Sequence, residues 1–587
     1  MRGFHNWIGN LTAMCVFCIC VPAGLLAQGL GSISGTVTDT TGAVVSGAGV
    51  TATQVGTGLE LKTTSSAGGV YVFPSLAPSV YNVSASSQGF EAYTAKGVQV
   101  RADAAVTVNI ALKAGAASET VTVNAETAQV DVTTGTLSQV IGQSQVTDLP
   151  LEGRNAAALT EEVAGITIAP TAQADQGNTK TFPVVYSISA NGTFVGQTNY
   201  MLDGGNNLDE YTNVNLPFPM PDALQEFSIE TSNYNAQYGQ NAGGVVNIIT
   251  KSGTSRYHGD LFEFVRNGDL DAAPWYSYSA KTNTKTVNPL KRNQFGGTVG
   301  GPLEIPHLYK TDKSFFFFGY QRSIIHQASG NLNDTLPTIA QAGASSSGTT
   351  PGTNNLVFTD CVTDPLMPSA IVPVAPTVCP AGSSTTWTPA ALSPVTKNLL
   401  GDIQPLTSGG AVFFQQPNNY VEAEITARAD QELTPKDKLT ERYFSDAYTL
   451  QGVLNPANLL TYQDYAQNNY YNSLIAETHT FGEHLVNNFI LSYQLERDSR
   501  GPIANSVDAA TLGVKISQPP FGQINQIAVS GFFTIGGNPQ AFFDRANYTL
   551  TDDMHWLLGK HNIDFGYHGE VSKIDVNNLF EQPGQFT

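Results

Sequence analysis

The residues from which a catalytic centre would have to be built are nine histidines and a Lys251-Ser252-Gly253 triplet. A zinc hydrolase fixes its metal with H-x-x-E or H-E-x-x-H pairs. No histidine here has a glutamate three residues on, and the second pattern is absent. His479 and His484 flank an expected turn and read as solvated rather than metal-ligating. Lys-Ser-Gly is the third box of penicillin-binding enzymes, but the S-x-x-K that carries their nucleophile is missing, as are G-x-S-x-G and the P-loop. No catalytic residue, metal site or cofactor is therefore expected. Cys361 and Cys379 lie in a Pro/Ala/Ser/Thr-rich stretch; an oxidising compartment favours a disulfide between them, with free thiols or a metal pair as alternatives.

The rest of the chain says what kind of scaffold this is. Of 587 residues only 13% are charged, about half the share of an ordinary soluble domain, while 56 glycines and 10% aromatics remain. That composition suits extracellular β-structure and is too aromatic for disorder. The net charge of −20 excludes nucleic acid as a natural partner. Residues 1–27 read as a signal peptide, with Arg2, an apolar run from Leu11 to Leu26, and Ala27 before the cleavage point; a membrane-anchor helix is the alternative. No later apolar run has the length of a spanning helix, so any further membrane crossing must use strands.

Residues 29–113 carry seven short alternating segments, the pattern of a small β-sandwich. Residues 114–250 are mixed α+β, with the best helix signal opening near Asn155 and ending before Gly165. Residues 251–587 carry long period-2 strands: Val421, Ala423, Ile425, Ala427 and Ala429 alternate with Glu422, Glu424, Thr426, Arg428 and Asp430. Nine such strands are expected, near 257–266, 293–301, 314–324, 419–431, 438–448, 469–480, 484–496, 546–558 and 561–573. Their connections alternate long and short. Outer-membrane barrels have that parity and a soluble meander has no reason for it. Nine is odd and leaves two lipid-exposed edges, so the sequence is expected to be a C-terminally truncated piece.

Several motifs, taken together, resemble a TonB-dependent outer-membrane transporter of the Oar-like group with an N-terminal carboxypeptidase regulatory-like domain. Gly31–Asp39 (GSISGTVTD), Gly68–Tyr71 and Leu76–Tyr81 are similar to that domain, with Ser79 where the family usually has Gly. Glu119, Thr120, Val121, Thr122, Val123, Asn124 and Ala125 (ETVTVNA) look like a TonB box. Asp148–Asn155 (DLPLEGRN), Tyr200–Asn207 (YMLDGGNN), Ala223–Ile229 and Tyr234–Gly253 resemble plug motifs, and Asn293–Pro302 an early barrel strand. The resemblance implies a mainly β fold: a transthyretin- or carbohydrate-binding-like sandwich at 29–113, a linker with the TonB box at 114–125, an α+β plug at 126–250, and the N-terminal part of a 22-stranded transmembrane antiparallel β-barrel at 251–587. It implies uptake of an unidentified ligand from outside, energised by TonB of the inner membrane, with outer-membrane lipid around the barrel and the N-terminal domain in the periplasm. A surface adhesin that binds protein or carbohydrate without transport is the alternative. Arg154 and Glu226 are expected to pair plug with barrel, because occluded charges need partners. Asp203-Gly204-Gly205-Asn206 reads first as a turn.

Overall fold

The computed structural model describes residues 31–115 (save 103), 120–124, 135–168, 187–273, 287–304 (save 288), 311–328, 410–455, 458–482, 485–503, 533–558 and 561–578, with a few short strands between. The leader expected at 1–27, Glu119, Ala125, Cys361, Cys379 and His484 lie outside the described residues, and of segment 120–124 only the backbone is described.

The N-terminal unit is a sandwich of two sheets. Strands β1 (Gly31–Asp39), β4 (Val70–Leu76), β7 (Ala105–Thr107) and β8 (Ile110–Leu112) make one. The other runs in the order β3 (Glu60–Thr64), β2 (Gly49–Gln54), β5 (Ser79–Ser86), β6 (Ala92–Val100), β9 (Thr120–Asn124). Alternate residues point inward, as a period of two demands: Ile33, Val37, Tyr71, Phe73, Tyr81, Val83, Val98 and Ile110 fill the core. Tyr71 and Tyr81 keep their hydroxyls bonded, donating to the Val108 and Ala77 carbonyls at 2.6 and 3.0 Å. The single strand expected over 105–112 is broken in two. Val108 bulges onto Gly35, where any Cβ would meet the Val108 carbonyl oxygen at 1.9 Å, and the Asn109 side chain accepts from the Thr36 amide at 3.1 Å.

A second unit follows. Strands β10 (Leu137–Gly142), β11 (Thr198–Leu202), β12 (Leu224–Ser232) and β13 (Gly244–Thr250) form a mixed sheet ordered β10-β12-β13-β11, extended by Gly205–Asn206. A short helix, α1 (Gln143–Asp148), precedes two 3₁₀ helices at Glu152–Arg154 and Ala156–Glu162. The expected helix start holds, because the Asn155 side chain accepts from the Ala157 amide at 3.0 Å. The expected helix is of the 3₁₀ form, Ala156–Glu162, and is preceded by a separate 3₁₀ turn, Glu152–Arg154, in which Gly153 and Arg154 both have positive φ.

The third unit is one antiparallel sheet of nine strands in sequence order: β14 (His258–Asn267), β15 (Lys291–Pro302), β16 (Ser314–His326), β17 (Tyr420–Thr434), β18 (Asp437–Leu450), β19 (Tyr465–Gly482), β20 (Leu485–Gly501), β21 (Ala541–Leu558) and β22 (His561–Asn578). These are the nine expected strands, most of them longer. Two residues separate β17 from β18, β19 from β20 and β21 from β22, whereas 327–419 and 502–540 are long. The faces are inverted relative to a soluble sheet. Glu424, Thr426, Arg428, Arg442, Asn472, Glu496 and Asp498 are buried on the inner face, while Leu261, Val299, Phe318, Leu491, Tyr548 and Trp556 are exposed. Asp552, the expected exception within the apolar face Tyr548–Leu558 of β21, accepts from the Asn487 side chain at 2.6 Å.

Candidate functional site

The inner face of the nine-stranded sheet and the second unit meet along a polar seam. Its centre is the Asp203-Gly204 dipeptide. Both residues have left-handed φ (50° and 83°), and Leu202 and Gly205 face each other across them, which is the two-residue hairpin that Asp-Gly favours. The turn is pressed against the barrel wall: a Cβ on Gly205 would meet Ser492 Cβ at 2.9 Å. At its tip Asp203 accepts from the Thr250 amide and hydroxyl, both at 2.9 Å. It also pairs with Arg428 at 3.2 Å and Arg442 at 3.1 Å. The Arg442 side chain is fully buried; it donates further to the Leu202 carbonyl at 2.8 Å and Asn472 Oδ1 at 2.7 Å. So the turn residue has a second role, as the acid that fixes two buried guanidinium groups.

The neighbouring motif residues are met in the same way. Tyr470 donates to Asn207 Oδ1 at 2.7 Å, Asn472 Nδ2 to the Asn206 carbonyl at 2.9 Å, and Gln494 Nε2 to the Leu208 carbonyl at 2.7 Å. Asp209 pairs with Arg545 at 2.8 Å, and Arg545 also contacts Glu496 at 2.7 Å and Asp498. Apolar packing crosses the seam too: Phe444, Tyr448 and Tyr470 of the sheet belong to the same core as Leu202, Phe227, Ile229 and Val246.

Arg154 sits at the other end of the seam. Its φ of +58° is unfavourable for a residue with a Cβ. The side chain is held by an ion pair with Asp222, by Gln321 Oε1 at 3.4 Å, and by the rings of Phe262 and Phe264, 4.7 and 4.0 Å from its guanidinium carbon. Its ion pair thus lies within the second unit, and its reach to the sheet is a hydrogen bond and cation–π stacking. Beside it, Glu152 bridges Arg292 at 2.8 Å and Arg266 at 2.6 Å. Burial opposes ionisation of Glu152, yet the bonds and charges of the two arginines outweigh it and hold the carboxyl below its ordinary range. Glu226 accepts from the amide of Ala102 at 2.7 Å, so it meets the sandwich. Asn488 of β20 donates to Ser75 of the sandwich at 3.0 Å. The Ser252 hydroxyl donates to Asp430 at 2.6 Å, a structural use for the Lys-Ser-Gly triplet. His479, expected to be solvated, is half-buried and bonded to Asp437 at 2.5 Å.

Sequence reasoning pointed to Arg154 and Glu226 and missed Arg428, Arg442, Arg545, Tyr470 and Asn472. A usable signal was present: arginines on the otherwise acidic and polar face of a strand need acids opposite them, and Asp203 and Asp209 are the acids of the adjoining motif.

Glu210 is one of the titratable groups of the seam. Burial, then the charge of Glu570 hydrogen-bonded to it, push its carboxyl up to about 7 against the opposing bond from Asn206. The unfolded chain ionises this group near 4.5. Its contribution to stability is therefore complete below that value and is lost as pH rises through about 7. Urea midpoints should fall over that window, and Glu210→Gln should remove that part of the slope. An unchanged slope in the variant would assign it elsewhere.

Residues 249–587 match the family model described as "Outer membrane beta barrel domain". The chain belongs to this outer-membrane barrel family. Its inverted faces follow from that membership, since lipid lies outside the sheet. Residues 32–113 match the carboxypeptidase regulatory-like domain. Over 289 residues, 48% of this chain, it is 28% identical to the TonB-dependent transporter Oar of Myxococcus xanthus, a homologue of which it covers 26%. It thus spans about a quarter of that relative's length. Among solved structures it is similar to the outer membrane transporter YddB of Escherichia coli (11% identity, TM-score 0.42, 74% of this chain and 48% of that one). It is also similar to the ferric enterobactin receptor PfeA of Pseudomonas aeruginosa (12%, 0.39, 75% and 49%). The barrel family lies in the outer membrane.

Proposed function

We propose that this barrel-family chain is the N-terminal part of a TonB-dependent receptor that takes up an unidentified extracellular ligand. In this reading residues 126–250 are the plug, 251–587 part of the barrel, and 29–113 a periplasmic sandwich joined to the plug by the linker and TonB box at 114–125. The observation that carries it is the seam itself. A plug must close a wide lumen and still be displaced. The hydrogen bonds and ion pairs that cross this seam beside its apolar contacts can be exchanged for water, whereas a wholly apolar joint could part only by exposing its area. An outer membrane has no ATP and holds little ion gradient, so the work must come through a periplasm-spanning partner. The segment Glu119–Ala125 suits capture by strand addition, in which main-chain bonds supply affinity. Arg154 and Glu226 then hold the plug in register, one toward the barrel and the other toward the sandwich. Relatives that are a transporter and receptors support a non-enzymatic role.

The test is made on the protein expressed from its full reading frame into outer membranes. Its gel mobility should shift on heating, and purified TonB periplasmic domain should retain it only when residues 119–125 are present. Retention without that segment would remove the transport reading and leave a binding protein of the adhesin kind.

A further inference from the structure

We infer that the N-terminal sandwich is the platform on which the TonB box is presented: a strand of TonB adds to the outer edge of β9 while β9 stays paired with β6. This rests on the reading of segment 119–125 given above. β9 runs parallel to β6, with Ala92 opposite Thr120, Tyr93 opposite Val121, Thr94 opposite Thr122, Ala95 opposite Val123 and Lys96 opposite Asn124. Among the described residues it is the terminal strand of its sheet. A strand sends its main-chain groups alternately to either side, so the side away from β6 carries donors and acceptors that call for partners.

The two edges of this sheet are guarded differently. The far edge, β3, reads Glu60-Leu61-Lys62-Thr63-Thr64, and its Glu60 and Lys62 are ion-paired at 3.0 Å and well exposed. Charges on an edge strand discourage pairing with another chain. β9 reads Thr-Val-Thr-Val-Asn, with neither charge nor proline and with residues that favour strand. One edge is closed to strand addition by its sequence and the other is left open to it.

The occupant is an extended segment of TonB, because the platform is wired to the plug by two routes. The chain itself runs from Asn124 on to β10. The other route runs through β6 to Ala102, two residues past its end, and from the Ala102 amide to Glu226 on β12. Glu226 stands directly opposite Gly142, the last residue of β10. A pull on β9 therefore arrives at the same strand pair from both sides. A peeled box would use the covalent route alone.

The experiment uses the full-length receptor in outer membranes with Thr94→Cys and Thr122→Cys, positions paired in register. Their separation across adjacent strands is within disulfide reach. The oxidised protein should bind purified TonB periplasmic domain within about twofold of the reduced one. A loss of more than about tenfold on oxidation, restored by reductant, would mean the box must leave β6 and would overturn the platform. Hydrogen exchange on the unmodified receptor gives a second readout. TonB should add protection in 120–124 and leave it in 92–96; loss of protection in 92–96 also overturns the inference. Dimerisation through β9 without TonB would make the occupant a second copy and overturn it too. If Val121→Pro binds TonB normally, the failure belongs to the box assignment itself.

Discussion

Replacing Asp203 with asparagine should lower the stability of the assembled second unit and barrel sheet by about 3–5 kcal/mol. Asparagine keeps the shape and tolerates the left-handed φ of the turn, so the change isolates the charge. Arg428 keeps its second acid, Asp430, at 2.9 Å. Arg442 is the group left exposed to the cost: its side chain is fully buried, and its ion pair among the described residues is with Asp203. An unpaired buried guanidinium loses hydration without recovering a counter-charge. The measurement is the urea midpoint of the heat-modifiable form, supported by protease sensitivity of residues 137–250. A change below about 1 kcal/mol would mean that water reaches Arg442, as at an exposed pair. Combining Asp203→Asn with Arg442→Met should cost less than the sum of the two, because the second change removes the orphaned charge.

Proline at Val121 or Val123 should abolish TonB binding, and with it uptake, while the sandwich and barrel still fold. Proline removes the amide donor and its ring obstructs the facing strand. With each main-chain bond worth about 0.5–1.5 kcal/mol net, and the strand shape lost as well, affinity should fall at least tenfold. β9 contributes five residues at a sheet edge, so folding should be spared. Pull-down with purified TonB periplasmic domain and heat-modifiable mobility read the two effects separately. A variant that binds normally sinks the TonB-box assignment; one that fails to fold shows that β9 is structural to the sandwich.

The barrel strands were legible because lipid on one side and a polar interior on the other write a strict alternation into each of them. The expected ends fell short where that alternation stops. β20 runs on through Arg497, Asp498, Ser499 and Arg500, polar on both faces, yet its ladder with β21 continues to Arg500 opposite Ala541. Pairing outlasts the apolar layer. The helix at Ala156–Glu162 was legible from its alanine-rich sequence and Asn155 cap, but neither signal reveals that it takes the 3₁₀ form. The seam was hidden for a different reason. Asp203 meets Arg442 across 239 positions, and Asp209 meets Arg545 across 336. Local pattern assigns a residue to a turn or a face, but it does not say which distant face the turn will touch.

The core shared by Phe444, Tyr448 and Tyr470 with Leu202, Phe227 and Val246 also sets an order in time. Residues 137–250 emerge from synthesis and export well before strands β18 and β19, which complete their packing. Until those strands are in place, that core lacks Phe444, Tyr448 and Tyr470 and Asp203 lacks Arg428 and Arg442. Contacts of such sequence separation form late, because closing the intervening loop costs entropy before any contact repays it. The segment therefore acquires its final shape only as the wall assembles around it.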